Sequence, residues 1–170
     1  MPISQTELDS AIRSFAGAIE ASELTLAYHK PPPEAEFANC ISNALRYCES
    51  HGGQPVTGWY FQIRTSSKGG RCLIATHHTV WHDPKTMKLF DVTPFHPNSN
   101  CRPICQNGDP IFLVDRNATP NVNENKIMPL PSRFHPIDQT PAAIELTAEL
   151  QREEFRSYNL EHGTSYRAED

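Results

Sequence analysis

No stretch of this 170-residue sequence approaches the roughly 18–20 consecutive apolar residues of a membrane-spanning helix, and no basic-then-apolar leader opens it. The expectation is a protein outside the bilayer. A run of basic residues is also missing. Lys and Arg number 15 against 20 Asp and Glu, for a formal net charge of −5, which argues against nucleic acid or an anionic membrane as the main partner. The five cysteines are an odd number without a disulfide-framework spacing, so a reducing, cytoplasmic setting is expected. Internal repeats and low-complexity tracts are absent, and Gly69-Gly70 lacks the spacing of a phosphate-binding loop. No cofactor is expected from these features. The length suits a single domain over residues 1–170, and the 15 prolines imply several kinked connections.

What is there begins with Ser4-Gln5-Thr6-Glu7, a capping-box signature followed by Leu8, Ala11, Ile12, Phe15, Ala16 and Ile19 at helical spacing. A helix over residues 5–21 follows, and residues 22–35, ending in Pro31-Pro32-Pro33, form the approach to a second helix. That helix runs from about Asn39 to His51-Gly52-Gly53, where glycine suits a C-terminal stop. Residues 56–93 read as a three-stranded meander, in which Trp59, Phe61 and Ile63 alternate on one face as core. Ile111-Phe112-Leu113-Val114 is a buried strand that joins the sheet, between proline-broken stretches at 94–110 and 115–140. Thr140-Pro141 caps a last, charged helix over residues 141–158, with Glu153-Glu154 on its solvated face. The core spans about residues 36–115.

Chemistry concentrates in a hairpin. Asp83-Pro84-Lys85-Thr86 has type I turn residues flanked by β-rich sequence, and a four-residue loop pairs His82 with Met87, Val80 with Leu89 and His78 with Asp91. Residues so opposed have Cβ atoms about 4.5–5.5 Å apart, close enough for a carboxylate to hold an imidazole. His77 then points to the other face. A His oriented by an Asp is two-thirds of a nucleophilic triad, and Cys40 is the candidate third member. With Asn39 as N-cap, Cys40 falls in the first helical turn, where free N–H groups and the macrodipole favour a thiolate. Cys40 equally belongs to an apolar stripe with Phe37, Ile41, Ala44, Leu45 and Cys48, so the helix taken alone fits an ordinary core cysteine.

The order of these pieces, Cys40, then His78-Thr79-Val80-Trp81, then Asp91-Val92-Thr93-Pro94, resembles the transglutaminase-like branch of the papain-like cysteine enzymes. The resemblance covers about residues 37–94. It departs where Trp81 follows His78 by three positions instead of two and where Val92 replaces a usual Pro, leaving the resemblance itself undecided between His77 and His78. The stretches Gly58-Trp59, His78–Trp81, Asp91–Pro94 and Ile111–Leu113 also look like a group of uncharacterised bacterial proteins, a likeness that supplies no activity. What the resemblance implies is an α+β papain-like fold, with the nucleophile-bearing helix packed on an antiparallel sheet and flanked by N- and C-terminal helices. It further implies a thiol hydrolase or acyltransferase acting on a protein, peptide or other amide substrate through Cys40, His78 and Asp91. The backbone N–H of Cys40 would help to hold the oxyanion. A rival constellation is Cys101-Arg102-Pro103-Ile104-Cys105 with His96 nearby, which suits a structural zinc only if Cys48, Cys72 or His135 joins it in space. The competing function is therefore a non-catalytic binding module on the same scaffold.

Overall fold

The computed structural model describes residues 3–123 and 126–167. The elements in order are α1 (Gln5–Ala18), β1 (Glu23–Leu26), β2 (Tyr28–His29), α2 (Cys40–His51), β3 (Gln54–Thr65), β4 (Arg71–His82) and β5 (Leu89–Asp91). After a 3-10 turn at Ser99–Cys101 come β6 (Cys105–Gln106), β7 (Asp109–Val114), β8 (Asn121–Asn123), β9 (Lys126–Met128), β10 (Arg133–Pro136) and α3 (Pro141–His162). The fold is mixed α+β with a mostly antiparallel sheet, and the chain divides into two compact units.

The first unit holds residues 1–20, 63–76 and 131–170. Its α1 starts at the expected capping box, with Ser4 and Glu7 bonded reciprocally. Arg71 bonds both Glu7 (2.7 Å) and Asp138 (3.2 Å), tying three segments together. The stretch read as irregular contains β10, which pairs antiparallel with β4, Arg133 opposite Ala75 and Pro136 opposite Cys72. Glu154 is not merely a solvated charge. Its carboxylate accepts the Ser132 N–H at 2.7 Å, and Gln151 accepts the Phe134 N–H at 3.1 Å, so α3 holds the segment leading into β10. α3 runs a turn beyond the expected end and stops at Gly163, whose φ of 66° is left-handed.

The second unit holds residues 21–62 and 77–130, with strands in the order β1-β7-β3-β4-β5-β2. The two end strands are consecutive in the chain, separated by Ala27 alone. β1 pairs antiparallel with β7 while β2 pairs parallel with β5, so one short stretch supplies both ends and nearly closes the sheet. Leu24 and Leu26 alternating with Glu23 and Thr25 is a strand pattern, so the approach to α2 contains a strand that its expected role as a connection does not include. Inside lie Ala27, Tyr60, Val80, Phe112 and Val114. α2 packs through Ala44 onto Trp81 and Val92, and Trp81 Nε1–H donates to the Gly52 carbonyl at 2.8 Å, holding the helix's C-terminal end. The expected stripe on α2 is only partly core: Ile41 and Ala44 are buried, but Phe37 and Leu45 are exposed.

The hairpin register differs from the expectation. His82 lies opposite Leu89 and Trp81 opposite Phe90, so the loop runs over residues 83–88. The Asp83 carboxylate accepts from the Lys85 N–H (2.9 Å) and the Thr86 hydroxyl (2.7 Å), and Met87 takes a left-handed φ of 58°. The Asp83 carbonyl accepts the Met87 N–H, closing a wider turn than type I. A slip of one residue would have sent His78 to the opposite face, whereas this slip of two keeps it on the Asp91 face and makes the pair diagonal neighbours.

β3 and β7 approach closely at Gly58, which lies opposite Val114. A Cβ there would run into the Leu113 carbonyl and the Phe112 ring. Gly58→Ala is expected to destabilise the protein by about 1–3 kcal/mol, as overpacking does. The check is a lowered urea midpoint at unchanged slope.

Candidate active site

Cys40 is the first residue of α2. Asn39 occupies the N-cap position as expected, but its side chain does not cap the helix; it donates to Glu36 Oε2 at 2.8 Å. The first turn of α2 thus keeps the electropositive, undersatisfied N–H groups that stabilise a thiolate. What fixes the approach is Asn43, one turn into the helix and buried. Its Oδ1 accepts the Glu36 N–H (3.0 Å), and its Nδ2 donates to the Glu36 carbonyl (2.7 Å) and to Thr93 Oγ1 (3.3 Å). One side chain therefore joins the segment entering Cys40 to the segment leaving Asp91.

β5 ends at Asp91, and on β4 it pairs with Trp81 and His82. Upstream of these, the Thr79 N–H bonds the Cys40 sulfur, and His78 hydrogen-bonds it through its side chain. His78 Nε2 donates to Asp91 Oδ1 at 3.0 Å, which leaves Nδ1 as the ring nitrogen for Cys40. Asp91 is 1 % exposed, and the same oxygen accepts the Thr93 N–H at 3.0 Å. Its backbone carbonyl accepts the Lys30 N–H at 2.9 Å, so strand closure by β2 also sets the carboxylate's position. His77 faces away. It is buried against Trp59 and donates from Nε2 to the Ala118 carbonyl at 2.9 Å, so no contact joins it to Cys40.

The electrostatics follow from this geometry. Burial disfavours the charged form of Cys40, but the adjacent imidazolium of His78 and its hydrogen bond outweigh that and lower the thiol's pKa. Burial likewise opposes the charge on His78, and the charges of Asp91 and Cys40 overcome it, raising its pKa to about 10. The two shifts run in the directions that favour a thiolate–imidazolium pair. For His77 burial dominates and lowers the pKa, the opposite direction to its neighbour. Of the other cysteines, Cys48, Cys72 and Cys105 have raised pKa values, each chiefly through burial.

The structure thus brings Cys40, His78 and Asp91 together. Cys101 and Cys105 are both exposed, and among the described residues no group of three or more His, Cys, Asp or Glu side chains converges as metal ligands. Asn43 and Tyr60 escaped the sequence reading. Asn43 carried a signal, as a polar residue three positions after Cys40 inside an apolar stripe. Tyr60 lies on the opposite face of β3 from Trp59, and nothing in the local sequence marks it. No family model matches the chain, and comparison with curated proteins and with solved structures likewise returned no match.

Removing Asn43 frees the approach to Cys40. Asn43→Ala is expected to lower stability by on the order of 2–3 kcal/mol, through loss of several buried bonds to the Glu36 backbone and Thr93. It should also slow alkylation of Cys40 under conditions where the protein remains folded. Urea denaturation and timed iodoacetamide labelling check the two effects.

Proposed function

We propose that this protein is a cysteine-dependent hydrolase or acyltransferase acting on an amide or acyl carbonyl, with Cys40 as nucleophile, His78 as acid–base and Asp91 as its orienting carboxylate. One observation carries the reading. A buried carboxylate holds one nitrogen of His78 at 3.0 Å while the imidazole's other side meets a thiol at the start of a helix. A core cysteine has no need of either neighbour. The papain-like, transglutaminase-like arrangement of helix and sheet belongs to the same proposal, and its support is the order of the three elements along the chain. Five free cysteines suit a reducing cytosol. No helix among the described residues is long and apolar enough to cross a membrane.

The steps follow from the pair's resting state. The Cys40 thiolate attacks the carbonyl carbon, a C–S bond forms, and the π electrons move to oxygen. The free N–H of Cys40, in the first turn of α2, donates to that oxyanion. As the tetrahedral species collapses, the C–N bond breaks and His78 passes its Nδ1 proton to the departing amine, leaving a thioester. Water or an acceptor amine then attacks the thioester while His78 takes the proton back, and the C–S bond breaks to restore the thiolate. Asp91 keeps Nε2 protonated throughout, so Nδ1 is the nitrogen that exchanges the proton. The substrate class is a protein, peptide or other amide.

Cys40→Ala is expected to abolish amidase or acyl-transfer activity while preserving the fold. An active variant would remove the assignment. In the intact protein, iodoacetamide followed by peptide mapping should find Cys40 labelled far faster than the other four cysteines. Because its pKa is lowered, Cys40 should stay reactive below the pH of about 8.5 at which an ordinary thiol protonates. His78→Ala should move this reactivity up to ordinary thiol behaviour, whereas His77→Ala should leave it unchanged. Uniform slow labelling of all five cysteines, or metal-dependent protection of Cys101 and Cys105, would favour the binding-module reading.

Asp91→Asn keeps the shape but removes the charge that most raises the His78 pKa. The expected result is a loss of activity of tenfold or more, with the imidazole free to adopt the wrong tautomer. A steady-state assay at neutral pH checks this, and full activity would show that Asp91 is structural.

A further inference from the structure

Tyr60 stands on β3 with its side chain inside the nearly closed sheet, 5 % exposed. Its ring lies face to face with the His78 imidazole, centroids 4.1 Å apart and planes 26° from parallel. Phe112 meets the same ring edge-on at 5.3 Å and braces it. The Tyr60 hydroxyl is buried within reach of the Asp91 carboxylate, though without a well-aligned hydrogen bond to it. A buried hydroxyl without a well-aligned bond is poorly compensated, so the ring's contact with the imidazole is the better formed of the two interactions that Tyr60 makes here. On its edges the imidazole is held by Asp91 and by Cys40, and in-plane bonds of this kind resist out-of-plane tipping only weakly. A flat ring packed against its face stops that motion. A phenol face also carries partial negative charge and attracts an imidazolium.

Building on the thiol-enzyme reading above, we infer that Tyr60 is a positioning residue of this site, its ring fixing the plane of His78 and favouring its charged form so that Cys40 stays ionised. The titratable groups that face His78 are Cys40 from α2, Asp91 from β5 and Tyr60 from β3, with His77 beside it on β4. Tyr60 itself remains a neutral phenol, since burial first, then the Asp91 charge and the hydroxyl's interaction with that carboxylate, push its pKa up. It therefore contributes a surface and a quadrupole and exchanges no proton.

The test is the pH dependence of Cys40 alkylation by iodoacetamide, followed by peptide mapping in the full chain. Wild type, Tyr60→Phe, Tyr60→Met and Tyr60→Leu are compared, with folding checked by circular dichroism. Met approximates the buried volume without a flat ring, so a collapsed core is not what the experiment reads. In the Met and Leu variants the acid limb of the profile should move up by about one pH unit or more, a tenfold loss of thiolate at a pH on that limb. Tyr60→Phe keeps the ring and removes only the hydroxyl's contact with Asp91, so its limb should move less than those of Met and Leu. A side chain that only fills the core would lower the denaturation midpoint and leave the limb in place. Unmoved limbs in Met and Leu therefore overturn the inference, as does a Phe variant that shifts like Leu. If wild-type Cys40 has no low-pH limb at all, the thiol-enzyme reading fails and this inference falls with it. A normal wild-type limb with unmoved variants removes Tyr60 alone.

Discussion

A carboxylate that is 1 % exposed has to find donors inside the protein, and Asp91 finds them in the His78 ring and the Thr93 N–H. Leaving such a charge unpaired would be strongly destabilising, so the segments that supply its partners are constrained together. Thr93 is in turn bonded by Asn43, Asn43 grips both backbone groups of Glu36, and Glu36 leads into Cys40. The ring of His29 donates from Nε2 to the Thr93 carbonyl and stacks on Phe95, so β2 grips the segment beyond Asp91. The place of the thiol therefore follows from satisfying one buried carboxylate.

The short strands β1 and β2 are what make this burial possible. They supply both ends of the sheet in a single stretch broken at Ala27, whose N–H donates to the Pro110 carbonyl at 3.0 Å. β2 then covers β5, a strand of three residues that otherwise has only the end of β4 to hold it. Beyond Asp91 the β4 backbone faces α2, and the Thr79 N–H turns to sulfur in place of a carbonyl. Helix and sheet meet at an interrupted ladder, and the interruption is where Cys40 and His78 meet.

Much of the site could be read from the chain because the signals were periodic. Alternation along a strand assigns His77 and His78 to opposite faces whatever the loop does, and a two-residue error in the Asp83 loop preserved parity. The loop is longer than the turn residues suggest because Asp83 reaches both Lys85 and Thr86 and opens the turn further than Asp-Pro alone implies. Asn39 stands at the N-cap position, yet its side chain turns to Glu36, a choice that propensity cannot reveal. β10 was missed because its pairing with β4 is a distant partnership, about sixty residues away in the chain, that no local pattern announces. Tyr60 and Asn43 act through contacts made only after the sheet closes, so their roles were invisible in a linear reading.

The central claim is that His78 carries a proton on each ring nitrogen at neutral pH, held between Asp91 and the Cys40 thiolate. The most direct measurement is a pH titration of the His78 imidazole by 15N NMR, assigned by comparison with His78→Ala. The account predicts an imidazolium that persists through neutral pH and titrates near the raised value of about 10. Replacing Cys40 by Ala should bring that value down, because the thiolate is one of the charges sustaining it. A His78 ring that is neutral at pH 7, or whose titration is indifferent to Cys40, would contradict the account.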